Sequence, residues 1–354
     1  MKKRIKFAII GCGRIAKNHK EAYSNHKNKL ELVALCDIVE TKAKDLCVDG
    51  ASIYTDYKKM ISEQKPGLVA ICTESGKHAK IAIYCLEHKV NVIVEKPMAL
   101  SIKDAKKMIE MAKKNKVKLC VSHQNRFNKA ILKLREAIEG NRFGKIFYGT
   151  AAIRWCRNKD YYNQAKWRGT WEQDGGALMN QCIHNIDLLQ WMMGSKVTEV
   201  MAYTKNQNHK YLEAEDLGLA ILKFENGKYG EIEGTVNVYP ENLEETLCIF
   251  GEKGTVRIGG KSVNKIDVWK FEDEEKDKKE IEKYKEEPPN VYGFGHMNLY
   301  GDMVEAIAEN RKPLIDGEAG MRALEIVLAI YKSSKTGKAV KLPLVNFSTL
   351  NMVN

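Results

Sequence analysis

No apolar run in this 354-residue chain approaches the roughly 18 residues needed to cross a bilayer, so no membrane span is expected. The opening Met1-Lys2-Lys3-Arg4-Ile5-Lys6 is basic. The apolar run that follows, Phe7-Ala8-Ile9-Ile10, is too short for a signal peptide and passes straight into a glycine turn, so it reads as a first strand. No C-x-x-C pair occurs among the nine cysteines, Cys12, Cys36, Cys47, Cys72, Cys85, Cys120, Cys156, Cys182 and Cys248. Their odd count and irregular spacing suggest neither a disulfide framework nor a zinc site, and a reducing cytoplasm is the expected compartment. The net charge of +12 comes from scattered lysines with no arginine-and-aromatic cluster. That distribution argues against nucleic acid and leaves an anionic small ligand as the expected partner. The dense charge run Phe271 to Glu287 mixes both signs and reads as an exposed loop or helix face.

What is present suffices for two domains, each with its own core, and the pattern divides them at 1–124 and 125–354. In the first, Val- and Ile-rich runs alternate with helical segments such as Ile102 to Lys114. The runs are Ile5 to Ile10, Leu30 to Cys36, Leu68 to Cys72, Val90 to Val94 and Val117 to Val121. Nearly continuous apolar strands alternating with helices predict an α/β fold with a doubly wound parallel sheet, of Rossmann type.

The first strand ends in Gly11-Cys12-Gly13-Arg14-Ile15-Ala16, a G-x-G-x-x-A turn that opens a helix. Gly11 permits the tight turn, Gly13 lets the backbone approach a pyrophosphate, and Ala16 lets the helix pack closely on the strand. Arg14 and Ile15 follow the glycines and join the cofactor candidates. Asp37 ends the second strand, where a carboxylate accepts the ribose hydroxyls and repels a 2′-phosphate, so NAD is expected rather than NADP. Capping the next helix is the structural alternative for Asp37. Thr73, Ser75 and His78 follow the strand Leu68 to Cys72, at the ligand edge of such a sheet. They are candidates to line the nicotinamide, with helix capping and surface exposure equally open. Glu95 and Lys96 sit at the carboxyl end of a further strand, before Pro97. Spacing alone leaves Lys96 divided evenly between a catalytic lysine and an edge lysine paired with Glu95.

In the second domain the runs Ile146 to Arg154, Val197 to Thr204, Leu217 to Phe224, Tyr229 to Val238, Glu245 to Phe250, Thr255 to Ile258 and Ile266 to Phe271 follow one another with few helices. They predict an antiparallel sheet, with a hairpin at Asn226-Gly227. Met303 to Glu309 and Arg322 to Ser333 read as helices, and the tail Leu342 to Asn354 has no assignment. A long polar and aromatic loop, 157–171, carries Arg157, Tyr161, Tyr162 and Arg168, which suit a phosphate, a sugar or a base. After Asp174-Gly175-Gly176 a helix places Asn180, His184 and Asp187 at i, i+4 and i+7, on one face. By spacing alone His184 is as readily a core histidine as a catalytic one.

G-C-G-R-I-A at 11–16, Asp37, I-C-T-E-S-G-K-H at 71–78 and E-K-P at 95–97 together resemble the Gfo/Idh/MocA oxidoreductase family, and the resemblance runs through nearly the whole chain. It implies an N-terminal Rossmann domain and a C-terminal α/β domain with a large, open, mostly antiparallel sheet that carries substrate residues and an oligomer interface. It implies catalysis by Lys96 and His184, within G-G-x-x-x-D-x-x-x-H. Asn180 departs from that pattern by standing where many members have aspartate. The segments 122–128, 167–189 and 238–256 resemble one branch, the UDP-N-acetylglucosaminuronate 3-dehydrogenases of bacterial surface-polysaccharide synthesis. That branch implies oxidation of carbon 3 of a UDP-2-acetamido-2-deoxy sugar by NAD. It also suggests a dimer or tetramer and 2-oxoglutarate as a co-substrate that regenerates NAD.

On this reading one of Lys96 and His184 is the general base and the other polarises the same oxygen, with Asn180 orienting the sugar. Gln124, Asn125, Arg126, Arg157, Tyr161, Tyr162, Arg168 and Asn237 are candidates for sugar and diphosphate contacts, Gln124 also for the cofactor. The rivals are a dehydrogenase of UDP-N-acetylglucosamine, of a free sugar or of inositol, and a catalytically silent NAD-binding sensor.

Overall fold

The structure, a computed structural model, describes residues 4–47, 50–272, 281–287 and 293–353. The middle of the charge run noted above, 273–280, lies outside the described residues. The chain forms two compact units, Met1–His123 with His296–Met321, and Gln124–Gly295 with Arg322–Asn354.

The first unit is built on six parallel strands: β1 (Ile5–Ile10), β2 (Leu30–Cys36), β3 (Ser52–Tyr54), β4 (Leu68–Ile71), β5 (Asn91–Val94) and β6 (Leu119–Val121). Their order is β3-β2-β1-β4-β5-β6. The order reverses direction between β1 and β4, and at such a switch point the loops after the strands open a crevice for a ligand. The helices are α1 (Ala16–Ser24), α2 (Glu40–Leu46), α3 (Tyr57–Gln64), α4 (Ser75–Glu87) and α5 (Ile102–Lys114). In α5 the residues Ile102, Ala105, Met108, Met111 and Ala112 form one buried stripe, and the Ser101 side chain caps the helix by accepting from the Asp104 amide at 3.0 Å. β3 escaped the sequence reading because it has three residues, none of them buried.

The division at 124 assigned everything beyond it to the second domain. The fold differs, because α9 (Gly295–Ala308) carries Tyr300 into the first unit, fully buried and edge-on to Phe7 of β1 at 5.6 Å. Asp316 also bridges Cys120 of β6. Apolar residues at helical spacing show that a helix is buried, not which sheet buries it.

In the second unit eight strands lie in the order β13-β12-β11-β7-β10-β9-β8-β14. They are β7 (Ile146–Arg154), β8 (Val197–Lys205), β9 (Leu217–Phe224), β10 (Tyr229–Thr235), β11 (Glu244–Gly251), β12 (Gly254–Gly259), β13 (Lys265–Phe271) and β14 (Val340–Lys341). All neighbours are antiparallel except β7 and β10. The unit's helices are α6 (Lys129–Glu139), α7 (Lys159–Asn163), α8 (Ile183–Met193) and most of α10 (Gly317–Thr336). A π-helical turn, Leu178–Cys182, runs straight into α8. This segment packs on the inner face of the sheet, where Gly218 and Gly234 leave room for Leu178: a Cβ at either would lie within 2.5 Å of it. The opposite face presents Tyr203, Leu219, Ile221 and Tyr229, all exposed. The unassigned tail becomes β14, paired with β8, and a short 3-10 turn, Thr349–Met352. Among the described residues no helix is long and apolar enough to cross a membrane, and none of the nine cysteines is in a disulfide.

Candidate active site

In the first unit the turn after β1 brings the glycines and Asp37 together. Gly11 has φ +88°, and a Cβ there would lie 2.7 Å from the backbone of Cys72 and Thr73, so β1 and the end of β4 meet too closely for any other residue. A Cβ at Gly13 would meet nothing within 4 Å. That open space is where a pyrophosphate would lie against the backbone at the start of α1. The Asp37 carboxylate accepts from the Cys12 amide at 2.8 Å and from the Val39 amide at 2.9 Å. These bonds fix it beside the glycine turn. Arg14 is exposed and Ile15 half-buried at the same turn. The set fits NAD: Gly13 and the α1 amides would hold the pyrophosphate, and Asp37 would hold the ribose.

Ser75 is the first residue of α4 and is buried; Glu74 stands at the cap position, and no side chain caps the helix. His78 was expected to line the nicotinamide or lie at the surface. Instead it is buried between two carbonyls, with Nδ1 2.8 Å from the Pro97 oxygen and Nε2 3.0 Å from the Thr73 oxygen. Burial, partly offset by those carbonyls, lowers its pKa. It ties the loop after β4 to the loop after β5 rather than offering a ring to a ligand. Thr73 is half-buried, its hydroxyl 3.4 Å from the Glu74 carbonyl.

Lys96 is half-buried, and the bond from it to Pro97 is cis. Glu95, beside it, points into the unit. Its Oε1 lies 2.9 Å from His19 Nε2 and 3.5 Å from His296 Nε2, and its Oε2 accepts from the Lys96 amide at 3.3 Å. Tyr300 lies 2.8 Å from His19 Nδ1. With Nε2–H donating to Glu95, Nδ1 of a neutral His19 is the acceptor, so the Tyr300 hydroxyl donates to it. Burial alone would raise the Glu95 pKa, but the two histidines outweigh it and hold the carboxyl well below its usual range. Sequence reasoning missed His19, His296 and Tyr300, because they lie far apart in the chain and converge only through α1 and α9.

In the second unit the predicted residues separate into two groups. Arg126 and Asp187 are spent on each other. Arg126 Nε and Nη2 donate to the two carboxylate oxygens at 2.7 and 2.6 Å, and the guanidinium lies over Trp191 at 4.7 Å. Arg126 is therefore a core residue, not a substrate contact. Asp187 likewise leaves the polar stripe inferred from i, i+4, i+7 spacing, which assumed a regular helix. The π turn at 178–182, a device frequent at functional sites, shifts the register of Asn180 relative to His184 and Asp187, which both lie on regular α8. Gln124 and Asn125 are buried beside Arg126, the Gln124 amide donating to the Asn125 oxygen at 3.3 Å.

The other group assembles. Arg157 donates to Gln181 at 3.1 Å, Gln181 donates to Tyr161 and to Asn180, each at 2.8 Å, and Arg168 donates to the Tyr161 hydroxyl. The Arg157 and Arg168 guanidiniums lie 4.9 and 4.3 Å from the Tyr161 ring centre. Asn242 holds the Cys156 amide and Arg157, and Asn237 forms a bridge with Cys156. Asn180 donates to Asp174, whose other oxygen accepts from the Gly169 amide at 2.6 Å. A carboxylate thus stands beside Asn180 after all, supplied by Asp174. His184 is buried at the start of α8. Tyr162 was a candidate contact, but it is buried against Tyr161 and His209. Gln181, Asn242 and Asp174 escaped the sequence reading, since nothing but their placement distinguishes them from ordinary loop residues. Two guanidiniums fixed around a tyrosine, tied to Asn180 through Gln181, can grip a phosphate or carboxylate.

A dinucleotide-binding sheet followed by an open sheet unit with its own polar site is the architecture of a nicotinamide-dependent oxidoreductase. The chain belongs to the Gfo/Idh/MocA family: residues 5–123 match the oxidoreductase-family NAD-binding Rossmann fold, and residues 135–342 match that family's C-terminal alpha/beta domain. NAD is its cofactor. The chain is similar to the WlbA dehydrogenase of Bordetella pertussis, solved in complex with NADH and UDP-GlcNAcA, at 39% identity and TM-score 0.92 over 97% of this chain and 99% of that one. WlbA of Chromobacterium violaceum, also in complex with NADH and UDP-GlcNAcA, is 38% identical at TM-score 0.90 over 97% of this chain and 98% of that one. Myo-inositol 2-dehydrogenase of Thermotoga maritima is 27% identical over 96% of this chain and 98% of its own length.

Proposed function

We propose that the protein oxidises the 3-hydroxyl of a UDP-2-acetamido-2-deoxy sugar, UDP-N-acetylglucosaminuronate first among them, to the 3-keto sugar. The observation that carries this reading is the likeness to the two WlbA structures across both domains, at 38–39% identity. The bound nicotinamide supplies the hydride acceptor. His184 takes the proton of the hydroxyl, and Lys96 donates a hydrogen bond to the same oxygen. Asn180, held by Asp174 and Gln181, orients the sugar. Arg157 and Arg168, braced on Tyr161, bind the diphosphate or the carbon-6 carboxylate. The exposed Leu219, Ile221 and Tyr229 on the sheet are assigned to contact between copies in a dimer or tetramer. The 3-keto product suits amination by a separate enzyme, and 2-oxoglutarate is the proposed acceptor that regenerates NAD.

A second reading, oxidation of a free cyclitol, is favoured by the full-length likeness to myo-inositol 2-dehydrogenase. The Arg157–Tyr161–Arg168 group speaks for the nucleotide, because a cyclitol has no phosphate to occupy two guanidiniums. NADH absorbance is followed with UDP-N-acetylglucosaminuronate, UDP-N-acetylglucosamine, glucose and myo-inositol. Turnover of the uronate above the others is expected. Lys96→Ala should abolish NADH formation while NAD still binds; turnover close to wild type in that variant would remove Lys96 from the mechanism.

A further inference from the structure

The second unit holds a buried acid that the reaction does not use. Glu215, just before β9, lies beneath the Gly175–Gly176 turn that opens the segment bearing Asn180 and His184. Its backbone carbonyl accepts from the Ala177 amide at 3.1 Å, and its Oε1 accepts from the Leu178 amide at 2.7 Å. Oε2 presses on Gly176, where a Cβ would lie 1.6 Å from it, which explains glycine at this position. Among the described residues Oε2 has no hydrogen-bond partner.

Tyr331 of α10 closes the group. Its hydroxyl contacts three partners: the Gly175 carbonyl, Glu215 Oε1 at 3.0 Å and the Met179 amide at 3.2 Å. A phenol has one proton and accepts as well as donates. The Met179 N–H donates to the hydroxyl oxygen. The Gly175 carbonyl can only accept, so it takes the Tyr331 proton. The remaining contact, to Glu215, is a hydrogen bond only if Glu215 brings a proton of its own. A carboxylate would leave that contact without a proton and would bury a charged oxygen with no donor.

We propose that Glu215 is a positioning residue that works as a neutral carboxylic acid, holding the Gly175–Gly176 turn through Tyr331 and so fixing the segment that carries Asn180 and His184. The groups around it agree with this state. Burial raises its pKa to about 8, and the nearby Asp174 raises it too, against lowering by the Leu178 amide and Tyr331. Tyr162 stands in its field. Glu213, Lys205 and Lys335 line the same cavity of ≈ 540 Å³ that reaches Glu215, which gives protons a route in from solvent.

The effect on turnover rests on the function proposed above; the effect on folding does not. Wild type, Glu215→Gln, Glu215→Ala and Tyr331→Phe are compared from pH 5 to 9. A raised acid stabilises the fold fully below its ordinary value near 4.5 and loses that contribution as pH rises to about 8. The melting temperature of wild type relative to Glu215→Gln should therefore fall across that window and level off above it. With the sugar nucleotide, kcat of wild type should fall as pH rises through about 8. Glu215→Gln should lack that limb and lose less activity at pH 7 than Glu215→Ala, its amide keeping one of the two contacts that Oε1 makes with the Leu178 amide and Tyr331. Glu215→Ala and Tyr331→Phe should lower kcat about tenfold or more with KM for NAD unchanged. The proposal is overturned if Glu215→Gln tracks wild-type melting at every pH, or if it loses as much activity at pH 7 as Glu215→Ala. Should wild type turn over no sugar nucleotide, the proposed function fails, and the melting comparison still decides the role of Glu215.

Discussion

Arg126 and Asp187 form a two-point ion pair in the core of the second unit, with side chains only 2% and 0% exposed. It joins the 3-10 turn Gln124–Phe127 to α8 and so anchors the helix that carries His184.

Breaking this pair from one side should cost more than the pair itself contributes. Arg126→Met leaves a buried carboxylate and should destabilise the protein by about 3–5 kcal/mol, whereas Arg126→Met with Asp187→Leu should recover most of that loss. Thermal unfolding of the three proteins checks this. Equal losses in the single and double variants would show that the pair's charges are not the issue.

Gly13 and Gly176 should respond to alanine in opposite ways. At Gly13 a Cβ meets nothing, so Gly13→Ala should melt like wild type without cofactor but bind NAD at least about tenfold more weakly, because the methyl occupies the pyrophosphate's space. At Gly176 a Cβ overlaps Glu215 and φ is +93°, so Gly176→Ala should lower the melting temperature itself. NAD titration and thermal unfolding separate the two. Wild-type NAD affinity in Gly13→Ala would remove that residue from the pyrophosphate site.

The His19–Glu95–His296 cluster predicts acid sensitivity of the first unit. Burial holds His19 below its ordinary value of 6.5, so the folded state resists a proton that the unfolded chain accepts, and stability is lost as pH falls below 6.5. Glu95, held well below 4.5, contributes stability that is present above that value and lost as pH falls beneath it. Glu95→Gln should lower the melting temperature at pH 7, with a difference from wild type that begins to shrink only as pH falls below 4.5. A difference that does not vary with pH would mean that the carboxylate charge is not what the histidines stabilise.

Much of the first unit was legible because its elements are local. The alternation of Val- and Ile-rich runs with amphipathic stretches located β1 and β2 residue for residue, and α5 as well. In the second unit β7 and β9 were found to the residue, and the Asn226-Gly227 turn joins β9 to β10 as its dipeptide suggested. The glycine turn and Asp37 stood out for the same reason: a backbone approach and a strand-end carboxylate need particular residues at fixed spacing.

What the amino-acid sequence determined by itself is therefore the two-part architecture, the nucleotide turn and the segment bearing Asn180 and His184, since each depends on neighbours a few positions apart. Only the tertiary structure decided which polar residues were free to act. Spacing placed Asp187 with His184, but a buried arginine 61 positions away in the chain holds it in the core. Spacing said nothing of Glu215, whose role is set by Tyr331, 116 residues on. A charge or a hydrogen bond is satisfied by whatever lies within about 3 Å, and distance along the chain does not enter.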